Sequence, residues 1–125
     1  MKKLLIADDE QGIRSLVKMT LENDAYEILE ASDGVQALAL VKEHQPQLVL
    51  LDVSMPGMSG FDVCRAIRVD PLLKDIRVIM LTAMAQETDV AEGMAAGVDD
   101  YFTKPFSPVA LIRKVEEVFD GTGDE

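Results

Sequence analysis

A doubly wound α/β domain, one parallel sheet with helices on both faces, is the fold these 125 residues predict. Three observations lead there. Short apolar runs of strand length alternate with longer segments whose apolar residues recur every three or four positions. Three of the runs, at residues 4–7, 48–51 and 78–81, are apolar without interruption, as strands buried on both faces are. Finally, a chain of this length with 48% hydrophobic residues can fill one core and is too short for two ordinary domains.

The first strand is Leu4, Leu5, Ile6 and Ala7, and it runs directly into Asp8-Asp9-Glu10. Ile13, Leu16, Val17 and Leu21 fall on one face of the helix that follows, which Asn23-Asp24 stop. Residues 26–31 alternate polar and apolar, the pattern of an edge strand with one wet side. Ser32-Asp33-Gly34 opens a second helix through Val35, Leu38, Val41 and Lys42, which must end before Pro46. Residues 48–51 form the central strand and deliver Asp52 to a turn marked by Pro56-Gly57. Phe61, Cys64, Ala66, Ile67 and Arg68 predict a third helix closed by Asp70-Pro71, with Cys64 as a small core filler. Residues 78–81 lead to Thr82, and residues 87–96 predict a fourth helix, weakened by Gly93 and capped by a left-handed Gly97. Tyr101, Phe102 and Thr103 make a fifth strand that runs into Lys104-Pro105. Ser107-Pro108 starts a last helix whose apolar face is Leu111, Ile112, Val115, Val118 and Phe119. The domain is expected to span residues 1–120, with 121–125 a polar tail or the start of a linker.

The formal net charge of −11 argues against direct binding of nucleic-acid phosphates and suits a cation or a partner with a basic face. One cysteine cannot form an internal disulfide, and no apolar run approaches the roughly 18 residues of a membrane span. With no cleavage-type leader behind Met1-Lys2-Lys3, the expectation is a cytoplasmic protein without membrane contact.

Four strands end in a charged or reactive residue: Asp8-Asp9, Asp52, Thr82 and Lys104. In a parallel sheet those ends share one edge, and ligands bind at that edge in open α/β folds. Taken alone, each of the carboxylates reads better as a cap or turn residue. Together they ask for a counter-charge, since two carboxylates about 4 Å apart repel by roughly 4 kcal/mol at an effective dielectric near 20. Oxygen ligands of this kind suit Mg2+ better than Ca2+ or zinc, and one histidine with one cysteine offers no zinc site. An aspartate beside Mg2+, a hydroxyl and a lysine can act as a nucleophile toward phosphorus.

Taken together, the acidic pair Asp8-Asp9, Asp52, Thr82 and Lys104-Pro105, each following its own strand, make the chain resemble a response-regulator receiver domain of two-component signalling, of the chemotaxis-regulator-like kind. The resemblance runs from about Lys3 to Phe119. It implies a flavodoxin-like sheet in the order 2-1-3-4-5, an order carried over from the family and not read from these residues. It also implies that Asp52 accepts a phosphoryl group from a phosphohistidine on a sensor histidine kinase or phosphotransfer domain. Asp9 and Asp52 would ligate Mg2+ directly with the backbone carbonyl of Ser54, and Asp8 through water. Lys104 and Thr82 would contact the phosphoryl group, Lys104-Pro105 would be a cis bond, and Thr82 with Tyr101 would form the switch pair. The small Ala83 would admit a phosphodonor. Output would pass to an effector through the face of the fourth helix, fifth strand and fifth helix. The protein would be a signalling switch that assists its own phosphorylation and dephosphorylation, not an enzyme in its biological role. Ser54 and Met84, which tune phosphoryl lifetime in the family, offer no amide or carboxylate to aim a water, so slow hydrolysis is expected.

Rival readings fail on particular residues. A haloacid dehalogenase-type phosphatase would want a second aspartate where Ser54 stands, a flavodoxin's phosphate would be repelled by Asp8-Asp9-Glu10, and a nucleotide hydrolase would need a glycine-rich loop with lysine. Two alternatives remain open: a receiver forming part of a longer regulator or hybrid kinase, and a phosphate-independent binding module on the same fold.

Overall fold

A computed structural model describes residues 2–82, 93–104 and 107–123. In chain order the elements are β1 (Lys2–Ala7), α1 (Gln11–Leu21), β2 (Tyr26–Ala31), α2 (Gly34–His44), β3 (Leu48–Asp52), α3 (Gly60–Val69), β4 (Arg77–Thr82), a helical segment at residues 93–96 that we call α4, β5 (Asp100–Thr103) and α5 (Pro108–Gly123). The five strands form one parallel sheet in the order β2-β1-β3-β4-β5, as the family resemblance implied. α5 runs on through residues 121–123, which belong to the stretch expected as a tail. Residues 87–92 of the fourth helix, together with Ala83, Met84 and Pro105, lie outside the described residues, so the cis bond and one of the two lifetime positions fall there too.

Alternation along the strands divides the core in two. Leu5 and Ala7 of β1, Val49 and Leu51 of β3, and Val78 and Met80 of β4 face Ala37 and Val41 of α2, Phe61, Cys64 and Ile67 of α3, and Ala96 of α4. Their neighbours Leu4, Ile6, Leu48, Leu50, Ile79 and Leu81 face Val17 and Leu21 of α1 and Leu111, Val115, Val118 and Phe119 of α5. Successive strand side chains point to opposite faces, so an uninterrupted apolar run serves both layers. β2 pairs only with β1, and all its residues but Ala31 keep some exposure, as its alternating sequence required.

Local signals set the helix ends. Asp33 and Ser59 accept the amides of Gln36 and Asp62, capping α2 and α3, and Ser107 accepts the Ala110 amide at 3.3 Å. Gly97 adopts φ +95° and closes α4 through its amide to the Gly93 carbonyl at 3.0 Å. Gly60 opens α3 directly over the end of β3: a Cβ there would collide with the Asp52 carbonyl oxygen. That close approach brings the helix onto the strand that carries the central carboxylate.

Candidate functional site

Register places the predicted residues at one edge. Ala7 pairs with Leu51, Asp52 with Leu81 and Thr82 with Thr103, so Asp8, Asp52, Thr82 and Lys104 emerge side by side where four strands end. Lys104 is held at this edge by its amide, which donates to the Thr82 carbonyl at 2.7 Å.

The structure brings three of these side chains together. The Lys104 ammonium donates to Asp8 Oδ2 at 2.6 Å and lies 3.6 Å from Asp52 Oδ1. Asp8 is fully buried and Asp52 nearly so. Burial is the main reason the Asp52 carboxyl is pushed up to about 6; the Asp8 charge adds to the rise, while Lys104 and a backbone hydrogen bond from Ser54 lower it in part. Lys104 responds the other way. Burial alone would lower it, but the Asp8 hydrogen bond and the two carboxylates hold the ammonium above its ordinary value. Asp52 thus retains unmatched negative charge with a single lysine beside it.

Asp9 stands exposed at the lip of the pocket. The carboxylates of Asp8, Asp9 and Glu10 can bring one oxygen each within 4.8 Å of one another. The strand-end logic singled out Asp8 and Asp9 and passed over Glu10, whose only signal was adjacency. Ser54 is exposed, and its backbone is already engaged with Asp52. A set of hard oxygen donors, two of them buried and one of these, Asp52, with its proton affinity raised by burial and by the Asp8 charge, fits a small divalent cation.

Thr82 is buried at the end of β4. Tyr101 packs on the core layer of α2 and α3, and its hydroxyl takes the space that a side chain at position 93 would need. Arg14 was not singled out by sequence. It donates to the Asp8 carbonyl oxygen at 2.6 Å, and the one signal for it was a cation four residues beyond Glu10 on the first turns of a helix.

Comparison with known proteins identifies the family. Residues 4–116 match the model of the response regulator receiver domain family. The phosphate regulon transcriptional regulatory protein PhoB of Pseudomonas aeruginosa is 43% identical over 122 residues, covering 98% of this chain and 53% of that protein. The DNA-binding response regulator MtrA of Mycobacterium tuberculosis is 37% identical over 124 residues, covering 99% and 53%. The chain therefore spans about half the length of these curated relatives. Among solved structures, the chemotaxis protein CheY4 of Vibrio cholerae superposes with a TM-score of 0.88 at 35% identity, covering 94% of this chain and 98% of that one. The receiver domain of a signal transduction histidine kinase from Syntrophus aciditrophicus gives 0.89 at 31% identity, covering 97% and 92%. Two of these relatives bear names that tie them to DNA or transcription, which leaves the expectation of no nucleic acid applicable only to this acidic chain's own surface. Among the described residues no helix is long and apolar enough to cross a membrane. With the family model, the sequence relatives and the fold in agreement, the chain belongs to the response regulator receiver domains, the signalling modules of two-component systems.

Proposed function

We propose that Asp52 accepts a phosphoryl group from a phosphohistidine of a sensor histidine kinase or phosphotransfer domain, and that the pocket around it needs Mg2+ to do so. The observation that carries this reading is the buried Asp52 carboxylate, 3.6 Å from the Lys104 ammonium and raised in proton affinity by burial and Asp8. Asp9 and Asp52 would hold the cation with the Ser54 carbonyl, and Asp8 through water. When bound, Mg2+ shields the phosphoryl oxygens from the surrounding carboxylates.

An Asp52 oxygen attacks phosphorus as the P–N bond of the donor breaks, and the departing imidazole keeps the bonding pair and takes up a proton. Lys104, already beside Asp52, follows the growing negative charge on the phosphoryl oxygens, while Asp8 keeps its ammonium at the pocket. The Thr82 hydroxyl, at the next strand end, donates to the same group. Two charge-assisted hydrogen bonds at roughly 1.5–3 kcal/mol each approach the about 5.5 kcal/mol needed to reverse a 1:99 conformational equilibrium. Tyr101 would answer the displacement of Thr82 and alter the face of α4, β5 and α5 that an effector reads. The domain thereby assists its own phosphorylation and dephosphorylation while acting as a switch.

The coverage of about half of PhoB and MtrA supports a second statement, that this receiver is the input part of a longer regulator whose output lies in another domain. Intact mass after incubation with acetyl phosphate tests the core of the reading. A Mg2+-dependent gain of one phosphoryl group that Asp52→Asn abolishes is the expected result. Label on another residue would overturn it, as would no label from either acetyl phosphate or a phosphohistidine donor.

A further inference from the structure

Asp9 presents its carboxylate from the short loop between β1, which ends at Ala7, and α1, which begins at Gln11. Backbone bonds tie its ends, Asp8 to Ala31 of β2 and Glu10 to Ile13 and Arg14 of α1, and two further bonds bracket Asp9 itself. On one side Asp8 Oδ1 accepts the Glu10 amide at 2.9 Å, a side-chain turn closed around Asp9. On the other, Arg14 donates through Nη1 to the Asp8 carbonyl oxygen at 2.6 Å, a short charge-assisted bond to the peptide that joins Asp8 to Asp9.

Arg14 is itself well anchored. Its side chain is only 15% exposed, and its Nε lies 3.6 Å from Glu30 Oε1 on β2. The other Glu30 oxygen lies 3.6 Å from the Lys18 ammonium, one turn further along α1. The guanidinium therefore spans from the edge strand to the acidic loop, with its charge partly matched by Glu30.

The geometry points to Arg14 as a positioning residue for Asp9, holding the Asp8–Asp9 peptide in place before a cation arrives. This inference rests on the reading of the acidic pocket as a cation-dependent phosphoryl acceptor and adds how the exposed ligand is kept ready. Two effects of Arg14 have opposite sign. As a bare positive charge near the pocket it would weaken cation binding, so its removal would tighten it. As a holder of the loop it spares the cost of ordering backbone on binding, so its removal weakens it.

The test compares wild type with Arg14→Gln and Arg14→Lys in the full chain. Calorimetric titration with Mg2+ is paired with amide hydrogen exchange at Asp9 and Glu10 in chelator and with urea unfolding. Arg14→Gln is expected to bind Mg2+ roughly tenfold more weakly, the equivalent of ordering about one residue. Its Asp9 and Glu10 amides should exchange faster without metal, and its phosphorylation by acetyl phosphate should return to the wild-type rate at saturating Mg2+. Arg14→Lys, which can still reach the Asp8 carbonyl, should recover part of the affinity. Equal or tighter Mg2+ binding by Arg14→Gln, or unchanged exchange, overturns the role of Arg14. Should Arg14→Gln not fold, Glu30→Gln removes only the anchor and should weaken Mg2+ binding by about threefold on the same logic; no change there overturns the role equally. A wild type that binds no Mg2+ overturns the pocket reading as well, so the two failures are distinguishable.

Discussion

The Tyr101 hydroxyl lies where a side chain at Gly93 would begin, so the ring of β5 and the bare backbone of α4 interlock. Tyr101 rests against the core layer that includes Phe61 in this arrangement, and the absence of a Cβ at position 93 is what makes room for it.

Substitution should therefore reverse sign with context. Alanine in place of a helical glycine favours the helix by up to about 1 kcal/mol, whereas overpacking costs about 1–3 kcal/mol. Gly93→Ala alone should be destabilising by about 1 kcal/mol and should turn Tyr101 outward, visible as increased quenching of its fluorescence. In a Tyr101→Ala background the same change should stabilise. Equal effects in the two backgrounds, measured by urea unfolding, would show that the residues do not interact.

Asp52 predicts a pH dependence whose sign follows from burial. Its folded-state carboxyl stands at about 6 against an ordinary 3.8, so between those values the native protein binds more protons than the unfolded chain. Stability in chelator should consequently fall as pH rises from about 4 to about 6 and then level off, as far as this residue contributes. Asp52→Asn, which carries no charge to bury, should be more stable than wild type at pH 7.5 by about 3 kcal/mol, with the advantage shrinking toward pH 4. Urea unfolding of both proteins across that range checks it, and a difference independent of pH would refute it.

Lys104 compensates Asp8, which has no exposed surface, and Asp52 at once. Removing one partner of a buried pair costs about 3–5 kcal/mol because the other charge is left unmatched. Lys104→Met should lose stability near the lower end of that range in chelator, and millimolar Mg2+ should return most of it by supplying a different counter-charge. A loss that Mg2+ does not relieve would mean that the lysine and the metal do not share these carboxylates.

Arg68 ties α3 to the segment leaving α4. Its guanidinium donates to the carbonyls of Gly97 at 2.9 Å, Lys74 at 2.9 Å and Ile76 at 2.5 Å, and to Asp99 Oδ2 at 2.8 Å. The same Asp99 oxygen accepts the Val78 amide at 2.7 Å. Arg68→Ala should cost about 2–3 kcal/mol, given about 1.5–3 kcal/mol for a hydrogen bond to a charged group and partial replacement by water. Asp99→Asn should cost less, and the double mutant should fall short of the sum. Strict additivity in urea unfolding would argue that the contacts are incidental.

Much of this was legible beforehand because it is written in local periodicity. Apolar runs such as residues 48–51 announce strands buried on both faces, Ser107-Pro108 announces a helix start, and Gly97 announces a left-handed cap. The placement of Asp8, Asp52, Thr82 and Lys104 at strand ends follows from the same reading once the strands are parallel. Strand order is different: β1, β3 and β4 are apolar enough to exchange places and the alternation of β2 marks only an edge, so the order 2-1-3-4-5 came from the family resemblance.

What the tertiary structure alone decided are the reaches of long side chains between distant segments. Lys104 meets Asp8 from 96 positions away, and Arg68 gathers Gly97 and Asp99 across 29 and 31. Arg14 is near Asp8 in sequence, yet its grip on a backbone carbonyl depends on the angle between β1 and α1 and on Glu30 of β2. Hydrophobic pattern specifies which face of an element is buried, because burial free energy repeats with the period of the element. It carries no information about where a flexible cation ends, since that is set by which carboxylates and carbonyls the packed elements leave within its reach.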